Sequence, residues 1–215
     1  MREEEYRLHA SHVTDSYDRF ARYYDRFVGI FRLKGTREKT VEVSDARPED
    51  RVLDVCTGTG DAALEFAKRC KDVTGVDLST RMLAVAEKKD GEGRIRFLQM
   101  DAANMDFADK EFDISIISLA LHDMPAEVRE MILREMVRVT RKRIVILDYG
   151  PPPNRFLRAL YVAFVSLWES GSFRDFVRRD FEGLLRRCGL RVEKERGASL
   201  SLLRLSVCRP AEVGE

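Results

Sequence analysis

The sequence predicts an α/β fold, a mostly parallel sheet of seven strands with helices on both faces. Three observations carry that expectation. Apolar runs, partly β-branched, recur at residues 52–55, 73–78, 96–100, 112–118 and 143–149, and stretches of helical periodicity separate them. A glycine turn, Gly58-Thr59-Gly60, leads the first run straight into a helix-like segment, 62–67. An acidic residue stands at the tip of each of the next two strands, Asp77 and Asp101. Strands and helices alternating at this rhythm form right-handed β-α-β units, and ligands on such sheets bind beyond the carboxyl ends of the strands.

The first strand and its turn read Asp54-Val55-Cys56-Thr57-Gly58-Thr59-Gly60-Asp61. Gly58 and Gly60 remove two side chains where the chain turns tightly and another molecule can approach its backbone. The helix that follows points unpaired N–H groups at whatever lies over the turn. Asp77 is placed to accept hydrogen bonds from both hydroxyls of a ribose. Two ligand classes fit this much, a nicotinamide dinucleotide and an adenosyl thioether, and the loose G-x-G-x-x-A of residues 58–63 does not separate them. Two acids do. Asp54 precedes the turn, where a diphosphate gains nothing from another negative charge but a ligand bearing an ammonium and a sulfonium does. Asp101 closes the third strand, within reach of an adenine amino group.

On these residues the sequence resembles the class I S-adenosylmethionine-dependent methyltransferases, and residues 54–61 are similar to the ubiquinone/menaquinone-biosynthesis type. The resemblance covers residues 45–208 or so. It implies a Rossmann-like sheet with a C-terminal antiparallel hairpin strand. It also implies S-adenosylmethionine as cofactor, S-adenosylhomocysteine as product, and methyl transfer to a small hydrophobic acceptor, a quinone precursor or another metabolite. The cofactor-binding residues it implies are Asp54, Cys56, Thr57, Gly58, Thr59, Gly60, Asp77, Leu78, Met82, Asp101, Ala102, Ser118 and Leu119. Cys56 departs from the glycine that most class I methyltransferases carry there; it reads as a small apolar residue of the cleft rather than a nucleophile.

Taken in order, residues 1–47 are charged and helix-prone, with Tyr17, Phe20, Tyr23, Tyr24, Phe27 and Phe31 on one helical face. The resemblance makes this segment an arm over the cofactor cleft, with Tyr17, Tyr24 and Arg37 as substrate-cavity candidates. Residues 48–215 form the single methyltransferase domain. Pro48-Glu49-Asp50 is a turn into the first strand, whose following helix ends near Cys70. Ser79 is the N-cap of a helix that ends at Lys88-Lys89 before Gly91 and Gly93. Its Met82, Leu83, Val85 and Ala86 face inward, and Arg81, Lys88 and Lys89 form a solvated face. Pro125 opens a third helix with Val128, Met131, Ile132, Met136 and Val139 at helical spacing. A helical insertion at about 155–188 follows, comprising residues 155–168 and a second helix from about Phe173 to Cys188. Phe156 and Tyr161 of its first helix are further cavity candidates. The same stripe also suits core, a dimer surface or a membrane interface. Two strands, 190–195 and 200–208, close the chain through a hairpin-like link at 196–199.

His122 and Tyr149 are the candidates for a catalytic base beside the cleft. Asp123 follows His122, but consecutive side chains point apart, so no ready-made relay is expected between them. Asp148 reads as structural. His9 and His12 are expected in solvent.

Net charge of +1 with 35% charged residues points to a soluble protein and gives no support to nucleic acid as a partner. Met1-Arg2-Glu3-Glu4-Glu5 is unlike a signal peptide, and no apolar run approaches the ~20 residues that span a bilayer. Membrane contact is peripheral at most. The four scattered cysteines and three histidines give neither a metal site nor a disulfide framework, which fits the cytoplasm. The expected assembly is a monomer or homodimer. Two alternatives remain: a catalytically silent partner protein built on the same fold, and an NAD-dependent oxidoreductase.

Overall fold

The computed structural model describes residues 6, 34–150, 171–178, 180–197 and 203–211. Seven strands, β1 (Arg51–Val55), β2 (Asp72–Asp77), β3 (Ile95–Gln99), β4 (Phe112–Ser118), β5 (Thr140–Tyr149), β6 (Leu190–Gly197) and β7 (Leu203–Pro210), form one sheet in the order β3-β2-β1-β4-β5-β7-β6. β1 to β5 run parallel. β7 is antiparallel to both β5 and β6, so the fold has the expected mostly parallel sheet and antiparallel C-terminal pair. Strand order reverses at β1, between β2 and β4. The cleft of such a sheet opens there, above the strands' carboxyl ends.

Alternation along each strand sorts the apolar residues onto two faces. On one face Leu53, Val55, Ile117, Ile144 and Ile146 pack against α4 (Ala126–Val139), α5 (Gly171–Arg178) and α6 (Phe181–Arg187). On the other, Val52, Ile114, Ile116, Val145 and Leu147 meet α1 (Lys34–Val43) and α2 (Asp61–Ala67). α3 (Thr80–Lys89) buries Met82, Leu83 and Ala86. Its N-cap is Ser79, whose hydroxyl accepts from Met82 N at 3.0 Å.

Several expectations change in the structure. Val85 of α3 is half-buried rather than inward. Lys89 is half-buried rather than on a solvated face: its ammonium pairs with Asp61 and donates to Thr59 Oγ1, tying the end of α3 to the glycine turn. The helix expected from about Phe173 to Cys188 is two helices. Asp180 caps the second, accepting from Gly183 N at 2.9 Å. β6 runs on to Gly197, past a bulge between Val192 and Lys194. The aromatic N-terminal face, with Tyr17 and Tyr24, and the 155–168 helix, with Phe156 and Tyr161, lie outside the described residues, as do His9 and His12.

Candidate active site

The turn after β1 is built by its own carboxylate. Asp54 is 1% exposed, and its Oδ2 accepts from Thr57 Oγ1 at 2.6 Å and from Ala63 N at 3.0 Å. One acid thus fixes both limbs of the loop. Its other oxygen, Oδ1, takes no hydrogen bond among the described residues. Burial dominates its electrostatics and, with Asp77 nearby, pushes the carboxyl up to about 7 despite those bonds and the Arg37 charge. Cys56 follows at φ +55° and Gly58 at φ +54°, backbone that favours glycine. Gly60, at φ +79°, admits no side chain at all, since a Cβ there would come within 2.8 Å of Ala86 Cβ.

Asp77 completes the turn from the neighbouring strand. Its Oδ2 accepts from Gly58 N at 2.8 Å and its Oδ1 from Ser79 N at 2.9 Å. Asp101, two residues past β3, turns Oδ1 to Ala103 N at 2.9 Å and to the Tyr6 hydroxyl at 2.5 Å. Its Oδ2 takes no hydrogen bond among the described residues. Burial and the Asp101 carboxylate hold the Tyr6 phenol well above its ordinary range, so it remains a donor.

These groups surround a cavity of about 1190 Å³, open mouth included. Asp54, Cys56, Thr57, Gly58, Thr59, Asp77, Leu78, Met82, Asp101, Ala102, Ser118, Leu119 and Arg37 all line it. Gly60 does not; it lies behind the turn, against Ala86 and Phe97. Cys56 is only partly covered, yet its open side faces this cavity. Desolvation first, then Asp77, Asp54 and Asp101, raise its thiol well above the ordinary range and keep it protonated. Five carboxylates reach the wall, those of Asp54, Asp61, Asp77, Asp101 and Asp123. Arg37 is the one cation among the described lining residues, and it pairs with Asp61 at 2.7 Å.

The structure puts His122 and Tyr149 behind the wall rather than on it: neither is among the described lining residues. His122 is 5% exposed, and its Nδ1 lies 2.8 Å from Asp148 Oδ1. Its ring stands edge-on to Tyr149 at 4.7 Å and to Phe173 at 6.3 Å. Asp148 does the structural work expected of it. Its Oδ2 accepts from Leu121 N at 2.9 Å and its Oδ1 from Tyr149 N at 2.7 Å. The wall itself takes Asp123, whose Oδ2 is 3.9 Å from His122 Nε2, beyond hydrogen-bonding distance.

Sequence reasoning left out Tyr6, Asp61, Ala62, Met100, Ala120, Asp123 and Met124 as lining residues and read Val128 and Ile132 only as core. Residues 120–124 follow the tip of β4, so the rule that ligands bind beyond strand carboxyl ends reaches them. Nothing in the sequence marks Tyr6. Among the described residues no three His, Cys, Asp or Glu side chains converge as a metal site. No described helix is long and apolar enough to cross a membrane.

A family profile described as a methyltransferase domain matches residues 52–143. The demethylmenaquinone methyltransferase of Thermotoga maritima is 34% identical over 168 residues, which cover 73% of this chain and 70% of that protein. The ubiquinone/menaquinone biosynthesis C-methyltransferase of Bdellovibrio bacteriovorus is 35% identical over 160 residues, 69% of this chain and 66% of its own length. Among solved structures, magnesium protoporphyrin IX methyltransferase from Synechocystis, with bound S-adenosylhomocysteine, superposes with a TM-score of 0.70. That match covers 92% of this chain and 98% of the other at 17% identity, a likeness of fold.

Proposed function

This chain belongs to the class I S-adenosylmethionine-dependent methyltransferases, and from that membership we propose that it methylates a reduced, prenylated quinone precursor. The observation that carries the cofactor half is the buried Asp54, with one oxygen committed to the turn and the other without a hydrogen bond among the described residues on a wall rich in carboxylate. A cationic ligand compensates that arrangement. A diphosphate would add two negative charges to it. S-adenosylmethionine, when bound, supplies a methyl group on a sulfonium already activated for displacement.

The residues present fit that group. Asp54 would hold the ammonium of the methionine moiety and Arg37 its carboxylate. Asp77 would take the ribose hydroxyls, and Asp101 Oδ2 the adenine amino group. Leu78, Met82 and Ala102 would flank the base with apolar surface. Ser118, Leu119 and Ala120 leave β4 on the far side of β1 from Asp77 and Asp101, and with Met124 they would wall the acceptor. Holding acceptor and methyl group in line, away from water, can contribute ~7–11 kcal/mol toward the barrier.

The apolar wall and the names of the two relatives support a naphthohydroquinone or benzohydroquinone ring as acceptor. The test is incubation with methyl-labelled S-adenosylmethionine and chemically reduced demethylmenaquinone carrying a short isoprenoid tail. The expected result is label in the ring-methylated quinone. Binding of S-adenosylhomocysteine without any such product would overturn the acceptor assignment.

A further inference from the structure

We propose that Asp61 is a positioning residue that acts through Arg37, and that this pair makes the cleft select adenosyl thioethers carrying an α-carboxylate over those that lack one. The inference rests on the cofactor reading above and names what reads one end of that ligand.

Three helices meet at the Asp61 carboxylate. Arg37 belongs to α1, three residues before Thr40 and four before Val41, so it shares the helix face that buries both. Asp61 opens α2 directly after Gly60, whose left-handed backbone and lack of room for a Cβ fix how the helix leaves the turn. Lys89 closes α3. Asp61 Oδ2 takes Arg37 Nη2 at 2.7 Å, and its Oδ1 takes the Lys89 ammonium, which also donates to Thr59 Oγ1 at 3.1 Å. Cations from two different helices thus hold the two oxygens, and the plane of the carboxylate is set.

Stability explains little of this arrangement. The Arg37 and Asp61 side chains are 21% and 26% exposed, and ion pairs open to water to that degree contribute little to folding. Their place says more. Both residues line the cavity together with Asp54, Thr57 and Thr59. The Arg37 charge reaches the Asp54 carboxyl and draws it down against the larger effect of burial. A cation and a buried acid within each other's field on one wall match the two charges of an α-amino acid, ammonium to Asp54 and carboxylate to Arg37.

Arginine is a long side chain, and ordering it at the moment of binding costs affinity. Asp61 orders the guanidinium before the ligand arrives. It takes the Nη2 end of a five-donor fork whose Nη1 and Nε also carry N–H groups, the geometry that carboxylates match. Two carboxylates on one guanidinium repel each other. The Lys89 ammonium on Oδ1 offsets that repulsion, so Asp61 stays in place when the ligand's carboxylate docks instead of being displaced by it. Arg37 touches the ligand; Asp61 acts through Arg37.

The experiment is titration calorimetry of wild type, Asp61→Ala, Asp61→Asn, Arg37→Gln and the double variant Asp61→Ala/Arg37→Gln. Three probes are used: S-adenosylhomocysteine, its decarboxylated form, which keeps the ammonium, and methylthioadenosine, which keeps neither charge. Wild type should bind S-adenosylhomocysteine about tenfold or more tighter than the decarboxylated form. Asp61→Ala should weaken S-adenosylhomocysteine about three- to tenfold and leave the other two probes within about twofold. Asp61→Asn, which keeps the shape, should show a smaller loss of the same kind, and Asp61→Ala should add almost nothing to Arg37→Gln. The midpoint of thermal unfolding should stay within a few degrees of wild type. Tighter binding of S-adenosylhomocysteine by Asp61→Ala, or binding within about twofold of wild type, overturns the assignment. So does an equal loss for methylthioadenosine, which would make Asp61 a support of the turn alone. If Asp61→Ala does not fold, Asp61→Asn decides by the same comparison of probes. Wild type that gives no heat with S-adenosylhomocysteine defeats the cofactor reading and this assignment with it, whereas failure confined to the Asp61 variants leaves that reading standing.

Discussion

The Tyr6 hydroxyl donates to Asp101 Oδ1 at 2.5 Å across 95 positions of sequence. With Ala103 N on the same oxygen, the bond fixes the carboxylate plane and leaves Oδ2 without a hydrogen bond among the described residues. A tyrosine near the start of the chain thus orients an acid at the tip of the third strand.

Tyr6→Phe keeps the ring and removes that bond. One hydrogen bond to a charged group is worth about 1.5–3 kcal/mol, only part of which reaches the ligand. S-adenosylhomocysteine affinity should fall about three- to tenfold with unfolding little changed. Unaltered or tighter binding by calorimetry would mean that the phenol does not orient Asp101 for the ligand.

Asp54 makes both stability and binding depend on pH. Its folded value of about 7 lies above the ordinary one near 4. Between those values the ligand-free fold holds a proton that the unfolded chain has released. Stability from this group therefore falls as pH rises from about 4 to 7, by at most about 1.4 kcal/mol per unit, and is level above that. A ligand that sets its ammonium on Asp54 selects the ionised form, so S-adenosylhomocysteine affinity should rise by up to about tenfold per unit toward pH 7 and then flatten. Calorimetry at about pH 6 in buffers of different ionisation heat should show proton release, and Asp54→Asn should abolish it. Affinity that is flat across this range contradicts the assignment.

Cys56 holds a φ of +55°, a conformation costing an L-residue about 1–2 kcal/mol. Glycine relieves that strain but gains freedom in the unfolded chain, worth about 0.4–1 kcal/mol. Cys56→Gly should come out stabilising by about 0.5–1 kcal/mol, a rise of a few degrees in Tm, with ligand affinity retained. A clear loss of stability would show that the thiol packs better than the turn suffers.

Arg129 is 1% exposed and joins three segments. It donates to Leu121 O at 2.8 Å, to Ser172 O at 2.8 Å and to Asp175 at 3.1 Å, and its guanidinium lies 4.9 Å from the Phe176 ring centroid. Arg129→Met leaves two carbonyls to find new partners, a cost of about 2–4 kcal/mol. The midpoint of urea unfolding should drop accordingly. An unchanged midpoint would mean that α5 does not depend on this clamp.

Local patterns carried the sheet and much of the cavity wall. Apolar runs of strand length, the Gly58–Gly60 turn and the Ser79 cap depend on neighbours in sequence, and the acids at 54, 77 and 101 follow from the rule about strand tips. What was hidden depends on distant partners. Lys89 looks like any basic residue ending a helix until Asp61 is placed beside it. His122 meets Asp148 because β4 and β5 are adjacent, a fact of strand order rather than of spacing. The break before α6 was written in Asp180 and Gly183, a cap inside a run whose apolar periodicity hides it.

The whole account turns on what the acids at the sheet's carboxyl edge receive. Titration calorimetry of wild type and Asp77→Asn, a change that keeps the shape and one acceptor oxygen beside Gly58 and Ser79, measures this directly. S-adenosylhomocysteine should bind wild type and lose about tenfold or more in affinity on Asp77→Asn, and NAD should give no heat. Heat from NAD and none from S-adenosylhomocysteine would contradict it.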